Sequence, residues 1–335
     1  MKNLLVSIII PVKRISNYLC YENLPAFVTQ TYKYFEVIVL PNKLGDEDRK
    51  LLSKYKWLKI IPTGKITRPA EKRDIGAKKS KGLILAFIDD DAYPAPDWLE
   101  KAIHYFEFKK TEVICGPGII PQKTNIWEKI FDEILISPIG SGGYQYRFVQ
   151  KHARFIDDYP SMNFLIQKNV FEKLGGFNSE YWPGEDSKLC EDLSYKYKGK
   201  IYYNPEILVY HHRRNNLISF LKQHANYGFH RGAFFAHGDR NSRRLFYLVP
   251  TFFVFYIFFL IVSLSLNIQY TLFTLPLIAY LLFGLFLIGQ SFMRTKNIIL
   301  SFSIFPVLFL IHFTYGTMFI KGFIKGLRHN KHIYG

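Results

Sequence analysis

The sequence predicts an α/β protein: a mostly parallel sheet flanked by helices, followed by a helical region suited to crossing a membrane. Three observations carry this. Short apolar, β-branched runs alternate with helical stretches through residues 5–88. The last of these runs ends in three successive aspartates. From residue 241 onward the chain contains no Asp or Glu, only eight Lys and Arg placed between long apolar runs.

The first run, LVSIII at 5–10, is continuously apolar, as in a strand buried on both faces. The opening MKNLLVSIIIPVKR has the outline of a secretory leader, but the apolar stretch is short and Pro11 ends it. No small-residue cleavage site follows, so a first strand and a cytoplasmic domain are expected. The pattern recurs at 35–40, 56–62 and 82–88, with helical stretches at 24–34, 46–54 and 70–80. This alternation predicts right-handed crossovers, with ligands bound at the carboxyl ends of the strands. Those ends read PVKR, PNK, PTG and DDD. Asp89, Asp90 and Asp91 therefore stand at a ligand-binding edge. On an extended chain Asp89 and Asp91 project to one side. Two carboxylates so placed suit Mg²⁺ or Mn²⁺, hard ions that also hold phosphate oxygens. Asp97 is placed to cap a helix beginning at Trp98.

In the second half, Gly184-Glu185-Asp186 precedes an apolar helix that begins near Ser187. Adjacent carboxylates repel, so one of the two gains affinity for protons. His211 and His212 follow an apolar stretch, and Gln223, Tyr227 and Arg231 recur every four residues, on one helix face. GSGGYQY, 140–146, is glycine-rich without phosphate-loop spacing and reads as a mobile loop. Cys20, Cys115 and Cys190 are too dispersed for a disulfide framework or a zinc site.

The net charge of +17 would suit nucleic acid, but the excess is concentrated beside apolar spans, and no nucleic-acid partner is expected. The change of composition near Asn241 divides a domain at 1–240 from a membrane region at 241–335. Residues 246–266 and 270–290 each have the length of a spanning helix, joined by an uncharged turn at Asn267–Gln269. Their basic flanks place both outer ends in the cytoplasm. Residues 298–320 are apolar, but Pro306 splits the run near its first third, His312 interrupts it, and Lys321, Lys325, Arg328 and Lys331 follow. The position of these cations favours a re-entrant or interfacial segment over a third span.

Taken in order, these pieces resemble the family 2 glycosyltransferases, which have the nucleotide-sugar-binding GT-A fold. SIIIPVKR, QTYKYFEVIVL, EKRDIGAKKSKGLILAFIDDD and GGFNSEYWPGEDSKLC carry the resemblance, at matching intervals across residues 5–240. It implies inverting transfer of a sugar from a nucleoside-diphosphate sugar, assisted by a divalent metal on Asp89 and Asp91. His211 is the further ligand, with His212 the fallback. Asp186 is the implied general base, and Glu185 holds the acceptor or orients the base. Donor contacts are expected from Pro11, Lys13, Asn42, Arg73, Asp89, Asp90, Asn163 and Arg231, the last through a diphosphate or a lipid phosphate.

The chain departs from the family where Pro41-Asn42 replaces the usual Asp after the second strand, and where Lys13-Arg14 replaces the common Tyr-Asn. FLKQHANYGFHRGAFF resembles the Gln-x-x-Arg-Trp region but lacks its Trp, which implies addition of one sugar rather than polymer extrusion. The implied acceptor is a lipid-linked, polyprenyl-borne saccharide at the cytoplasmic membrane face, in synthesis of cell-surface polysaccharide or glycoconjugate. One alternative is an enzyme that makes a polyprenyl-monophosphate sugar. Another is a non-enzymatic membrane adaptor, which leaves the DDD and GED runs unexplained. A nucleotidyltransferase would need glycines after the first strand, and PVKRISNYL has none.

Overall fold

The computed structural model describes residues 4–138, 140–177, 184–266 and 271–328. Its strands are β1 (Val6–Pro11), β2 (Phe35–Leu40), β3 (Leu58–Ile60), β4 (Ile84–Ile88), β5 (Ala92–Pro94), β6 (Val113–Cys115), β7 (Gly118–Ile119), β8 (Arg154–Ile156), β9 (Asn163–Gln167), β10 (Ile201–Tyr203) and β11 (Val209–His211). Its helices are α1 (Leu24–Val28), α2 (Asp46–Leu52), α3 (Pro69–Lys79), α4 (Trp98–Lys109), α5 (Ile126–Leu135), α6 (Lys168–Lys173), α7 (Glu185–Glu191), α8 (Leu217–His237), α9 (Val249–Ser265), α10 (Thr271–Thr295) and α11 (Ile298–Arg328). The chain forms two compact units. One comprises residues up to Pro121 with Tyr146–His212, and the other Gln122–Gln145 with residues from Arg213. This division differs from the composition boundary at Asn241.

In the first unit an eight-stranded sheet has the order β3-β2-β1-β4-β9-β6-β10-β8. The first four strands are parallel, as the βα alternation predicts. Beyond them the sheet is mixed: β9 runs antiparallel between β4 and β6, and β8 antiparallel to β10. All six residues of β1 are buried, because side chains alternate between two covered faces. Ile8 and Ile10 join Val37, Val39, Ala86 and Ile88 in a core capped by Phe27 of α1 and Trp98 of α4. Ile9 faces α3, where a Cβ on Gly76 would lie 2.5 Å from its Cγ2. That glycine lets α3 sit directly against the sheet.

The run at 56–62 contributes only the three residues of β3, an edge strand with a single partner. The helix expected over 24–34 ends at Val28, because the following residues bond to the loop before α4. Gln30 donates to Ala95 O at 2.7 Å, and Thr31 N donates to Pro96 O at 2.8 Å. Asp97 stands at the N-cap of α4, but its carboxylate pairs with Lys101 at 2.7 Å rather than with the backbone.

The second unit is helical. The side chains of Phe131 and Phe220 stack at 3.8 Å in a core shared with Ile304, Val307, Leu308 and Ile311. Arg213 donates twice to Asp132, at 3.0 and 2.7 Å, and Arg294 pairs with Glu133 at 2.6 Å. These contacts bind the insertion at 122–145 to the helices that follow it. α10 and α11 are long and apolar enough to cross a membrane, while α9 has 17 residues. α11 runs unbroken through Pro306 for 31 residues, about 46 Å at ~1.5 Å per residue, so the expected interruption does not occur. The turn expected at 267–269 lies outside the described residues.

α8 and α11 pack through small residues, which let helix backbones approach closely. A Cβ on Gly228 would lie 2.3 Å from Tyr315 O, one on Gly232 2.1 Å from Phe319 O, and one on Gly322 1.8 Å from Phe229 O. Gly322→Ala should therefore lower stability by about 1–3 kcal/mol through overpacking. Gly289→Ala, where nothing lies within 4 Å, should not. Thermal unfolding of the full chain in detergent distinguishes the two.

Candidate functional site

β4 ends at Ile88, and the three aspartates form the turn into β5. Two kinds of contact hold this turn. Ala92 N donates to Asp89 O at 3.2 Å, and the buried Asn23 amide donates to Asp89 O at 3.3 Å and Ala92 O at 2.5 Å. β11 pairs antiparallel with β5, setting His211 opposite Ala92, while His212 N donates to Asp91 O at 3.0 Å. Strand pairing thus delivers a histidine to the acidic turn from far along the sequence. Successive residues of a strand face opposite ways, so the two histidines separate. His211 Nε2 lies 3.3 Å from Asp91 Oδ1, whereas His212 turns to Glu22 at 2.9 Å and packs its ring 4.3 Å from that of Tyr18.

Ligand atoms of Asp89, Asp91 and His211 all lie within 4.8 Å of one another. Two hard carboxylate oxygens and one imidazole nitrogen suit a divalent cation such as Mg²⁺ or Mn²⁺. All three side chains are partly exposed, leaving coordination positions open to phosphate oxygens. Asp90 points elsewhere and accepts from Ser16 Oγ at 2.6 Å, beneath the loop after β1. Burial, and then the neighbouring Asp91 carboxylate, push its pKa up to about 6.

Arg73 joins the two halves of the site. Only 4% exposed, it donates to Asp89 Oδ1 at 2.8 Å and to Glu185 Oε1 at 3.1 Å. Its guanidinium, expected to contact the donor nucleotide, is thus committed to two carboxylates. The Gly184-Glu185-Asp186 run, remote in sequence, comes through this cation to the acidic turn. Asp186 is half-buried, and Ser187 N and Ser161 N donate to it at 2.8 and 3.4 Å. Burial first, then Glu185 and Asp158, raise its pKa to about 6. Asp158 is itself buried, accepting from Ser187 Oγ at 2.7 Å and paired with Arg147 at 3.1 Å. Residues 178–183, within the stretch that carried part of the resemblance, lie outside the described residues.

Among the other expected donor contacts, Pro11 ends β1 as a buried residue, and Lys13 is exposed just beyond it. Asn42 follows β2 and is partly exposed. Asn163, expected to contact the donor, lies inside the fold instead. It is fully buried, donates to Gly116 O at 2.6 Å and Ile207 O at 2.7 Å, and accepts from Trp98 Nε1 at 2.9 Å. Both ends of its amide are engaged inside the fold, which leaves nothing to offer a sugar. Arg231 belongs to the helical unit. There it donates to Asn241 O at 3.3 Å and Ser242 Oγ at 3.2 Å, and lies 4.6 Å over the Tyr247 ring. Gln223 and Tyr227 do share a face, bonded at 3.0 Å.

Lys72, Asp158 and Ser187 were not among the residues expected at the site. Lys72 was discoverable: it precedes Arg73 on the side of α3 that Gly76 and Ala77 mark as inward-facing. Asp158 and Ser187 carry no local signal, because their contact spans 29 residues.

An acidic turn at the carboxyl edge of this mixed sheet, with a second carboxylate pair drawn to it, defines a sugar-transferring enzyme of GT-A fold. Residues 7–175, just over half of the chain, match Glycosyl transferase family 2, and the chain belongs to that family. It is 26% identical to the dolichyl N-acetyl-alpha-D-glucosaminyl phosphate 3-beta-D-2,3-diacetamido-2,3-dideoxy-beta-D-glucuronosyltransferase of Methanococcus voltae, over 96% of this chain and 98% of that one. It is 23% identical to the glucosyl-dolichyl phosphate glucuronosyltransferase of Haloferax volcanii, over 42% of this chain and 46% of that one. In fold it resembles the mannosyltransferase of Pyrobaculum calidifontis, solved in complex with GDP-Man and Mn²⁺, with a TM-score of 0.60 at 14% identity. That match covers 91% of this chain and 85% of the other.

Because Asn163 is engaged inside the fold, Asn163→Ala strands buried partners and should cost on the order of 3 kcal/mol. A lowered Tm of the full chain is the expected reading. An unchanged Tm with weakened donor binding would return Asn163 to the sugar site.

Proposed function

We propose that this glycosyltransferase moves a sugar, with inversion, from a nucleoside-diphosphate sugar to a polyprenyl- or dolichyl-linked saccharide at the cytoplasmic face of a membrane. The observation that carries this reading is the bridge from Asp89 through Arg73 to Glu185, which draws the acidic turn and the Glu185-Asp186 pair into one site. Asp89, Asp91 and His211 would hold the cation, and a bound Mg²⁺ or Mn²⁺ supplies charge neutralisation for the departing diphosphate. With that charge met, the chain needs no acid for the leaving group. It needs one base to take the proton of the acceptor hydroxyl.

Asp186 is the candidate. Its raised pKa places it near neutrality, where a base is both largely ionised and able to keep a proton. Backbone N–H groups of Ser161 and Ser187 fix its carboxylate. Glu185 is held by Arg73 and Gly184 N, which suits it to hold the acceptor or orient the base rather than to take the proton. The apolar helices support anchoring beside an acceptor that cannot leave the bilayer, which raises the effective concentration of the two. Basic residues flanking these helices support cytoplasmic orientation. The name of the full-length Methanococcus voltae relative describes a sugar already carried on dolichyl phosphate. That favours a saccharide acceptor over bare polyprenyl phosphate.

Asp186→Asn should lower transfer of radiolabelled sugar to lipid acceptor by about 100-fold or more, with binding of nucleoside diphosphate and Mn²⁺ retained. The wild-type rate should climb with pH through a midpoint near 6, because Asp186 must be ionised to act. Unchanged transfer by the variant, or a flat profile between pH 5 and 7 (read at about a unit on either side of that midpoint), would count against Asp186 as the base.

A further inference from the structure

Lys72 is among the most deeply buried charged side chains of the described residues, at 1% exposure. It rises from α3 to the carboxyl ends of β1 and β2. Its ammonium donates to Val12 O at 2.5 Å, to Leu40 O at 3.1 Å and to Asn42 Oδ1. Three N–H groups meet three acceptors, none of them charged. Among the described residues no carboxylate pairs with it. Burying a cation without a counter-ion is costly, and the burial lowers its pKa to about 8. A cost of that kind at a ligand-binding edge calls for a reason.

The reason lies in what an ammonium is unable to do. It has donors and no acceptor, so only the carboxamide oxygen of Asn42 can face it. An asparagine side chain ordinarily turns either end toward a ligand. Here the oxygen is held inward and the amide nitrogen is left pointing out. Among the described residues nothing accepts from that nitrogen, and Asn42 is partly exposed. The backbone is fixed as well: Asn42 N donates to Lys13 O at 3.2 Å, and Asn42 O accepts from Gly64 N at 2.9 Å. The result is a rigid, donor-only group at the end of β2.

Its position is informative. β2 lies two strands from β4, with β1 between them. At ~4.8 Å per strand, the end of β2 is about 10 Å along the sheet edge from the acidic turn. A nucleoside diphosphate whose terminal phosphate meets the cation site would bring its base to this end of the sheet.

We propose that Lys72 is a positioning residue that fixes Asn42 as a hydrogen-bond donor, so that the site reads an acceptor atom on the donor nucleotide's base rather than an N–H. The inference rests on the nucleoside-diphosphate reading above. It assigns opposite consequences to two nearly isosteric groups. An aspartate at 42 would pair with Lys72 and present no donor, so it should be a poor substitute despite its shape.

The test is calorimetric titration of the full chain in detergent with Mn²⁺ and each of UDP, GDP and inorganic pyrophosphate. Wild type should bind one nucleoside diphosphate at least about tenfold more tightly than pyrophosphate, the scale of one well-made polar contact with its base. Asn42→Asp should lose about tenfold for that nucleotide and nothing for pyrophosphate. Lys72→Met should shift the same difference although Asn42 is intact, a readout that a purely structural lysine would leave unmoved. If Lys72→Met fails to fold, Asn42→Asp decides alone. Nucleotide affinity in Asn42→Asp equal to or above wild type would overturn the proposal, as would a folded Lys72→Met with an unchanged nucleotide-to-pyrophosphate ratio. Absence of any binding by wild type, pyrophosphate included, would instead remove the nucleoside-diphosphate reading, and this inference with it.

Discussion

A single buried guanidinium holds the site together. Asp89, Glu185 and Asp186 are like charges brought close together, Glu185 buried and the other two partly exposed, and gathering them costs free energy unless a cation lies between. Arg73 supplies that cation with a donor for each of two carboxylates. Its placement depends on α3 lying close to β1, and that closeness depends on Gly76 having no side chain to meet Ile9. Packing of the sheet and chemistry of the edge are therefore one constraint. Removing the guanidinium alone would take the counter-charge from the buried Glu185 carboxylate, which costs more than never having gathered the charges.

Much of this was legible in the sequence, for identifiable reasons. A strand buried on both faces is dominated by apolar residues, so β1, β2 and β4 announce themselves. Their alternation with helices fixes the parallel half of the sheet and hence which edge binds ligand. The aspartates and the Gly-Glu-Asp run stood out because charge directly after, or between, apolar stretches is anomalous. His211 could be separated from His212 only by the register of β11 on β5, which period-two alternation alone does not set.

Other features were illegible because their causes are tertiary. Asn163 was expected among the donor contacts. The competing demand came from the carbonyls of Gly116 and Ile207 and the Trp98 indole, none of them near it in sequence. α11 was expected to break at Pro306, yet helix packing sustains it where local propensity would not. The border between units was placed by composition at 241, while Asp132 and Glu133 tie the 122–145 insertion to the helical unit through Arg213 and Arg294. Ion pairs of that kind leave no periodic trace.

The two salt bridges of Arg73 differ in how far they reach along the chain. Asp89 is 16 residues away and Glu185 is 112. During synthesis the nearer partner emerges at almost the same time as the arginine, and short-range contacts form ahead of long-range ones. The Asp89 carboxylate can thus meet its cation before the rest of the site exists, while Asp91 waits for His211. The imidazole of His211 and the second carboxylate arrive only when the later strands are made. The reaction centre is therefore complete only once β11, the last strand of this unit, has been made.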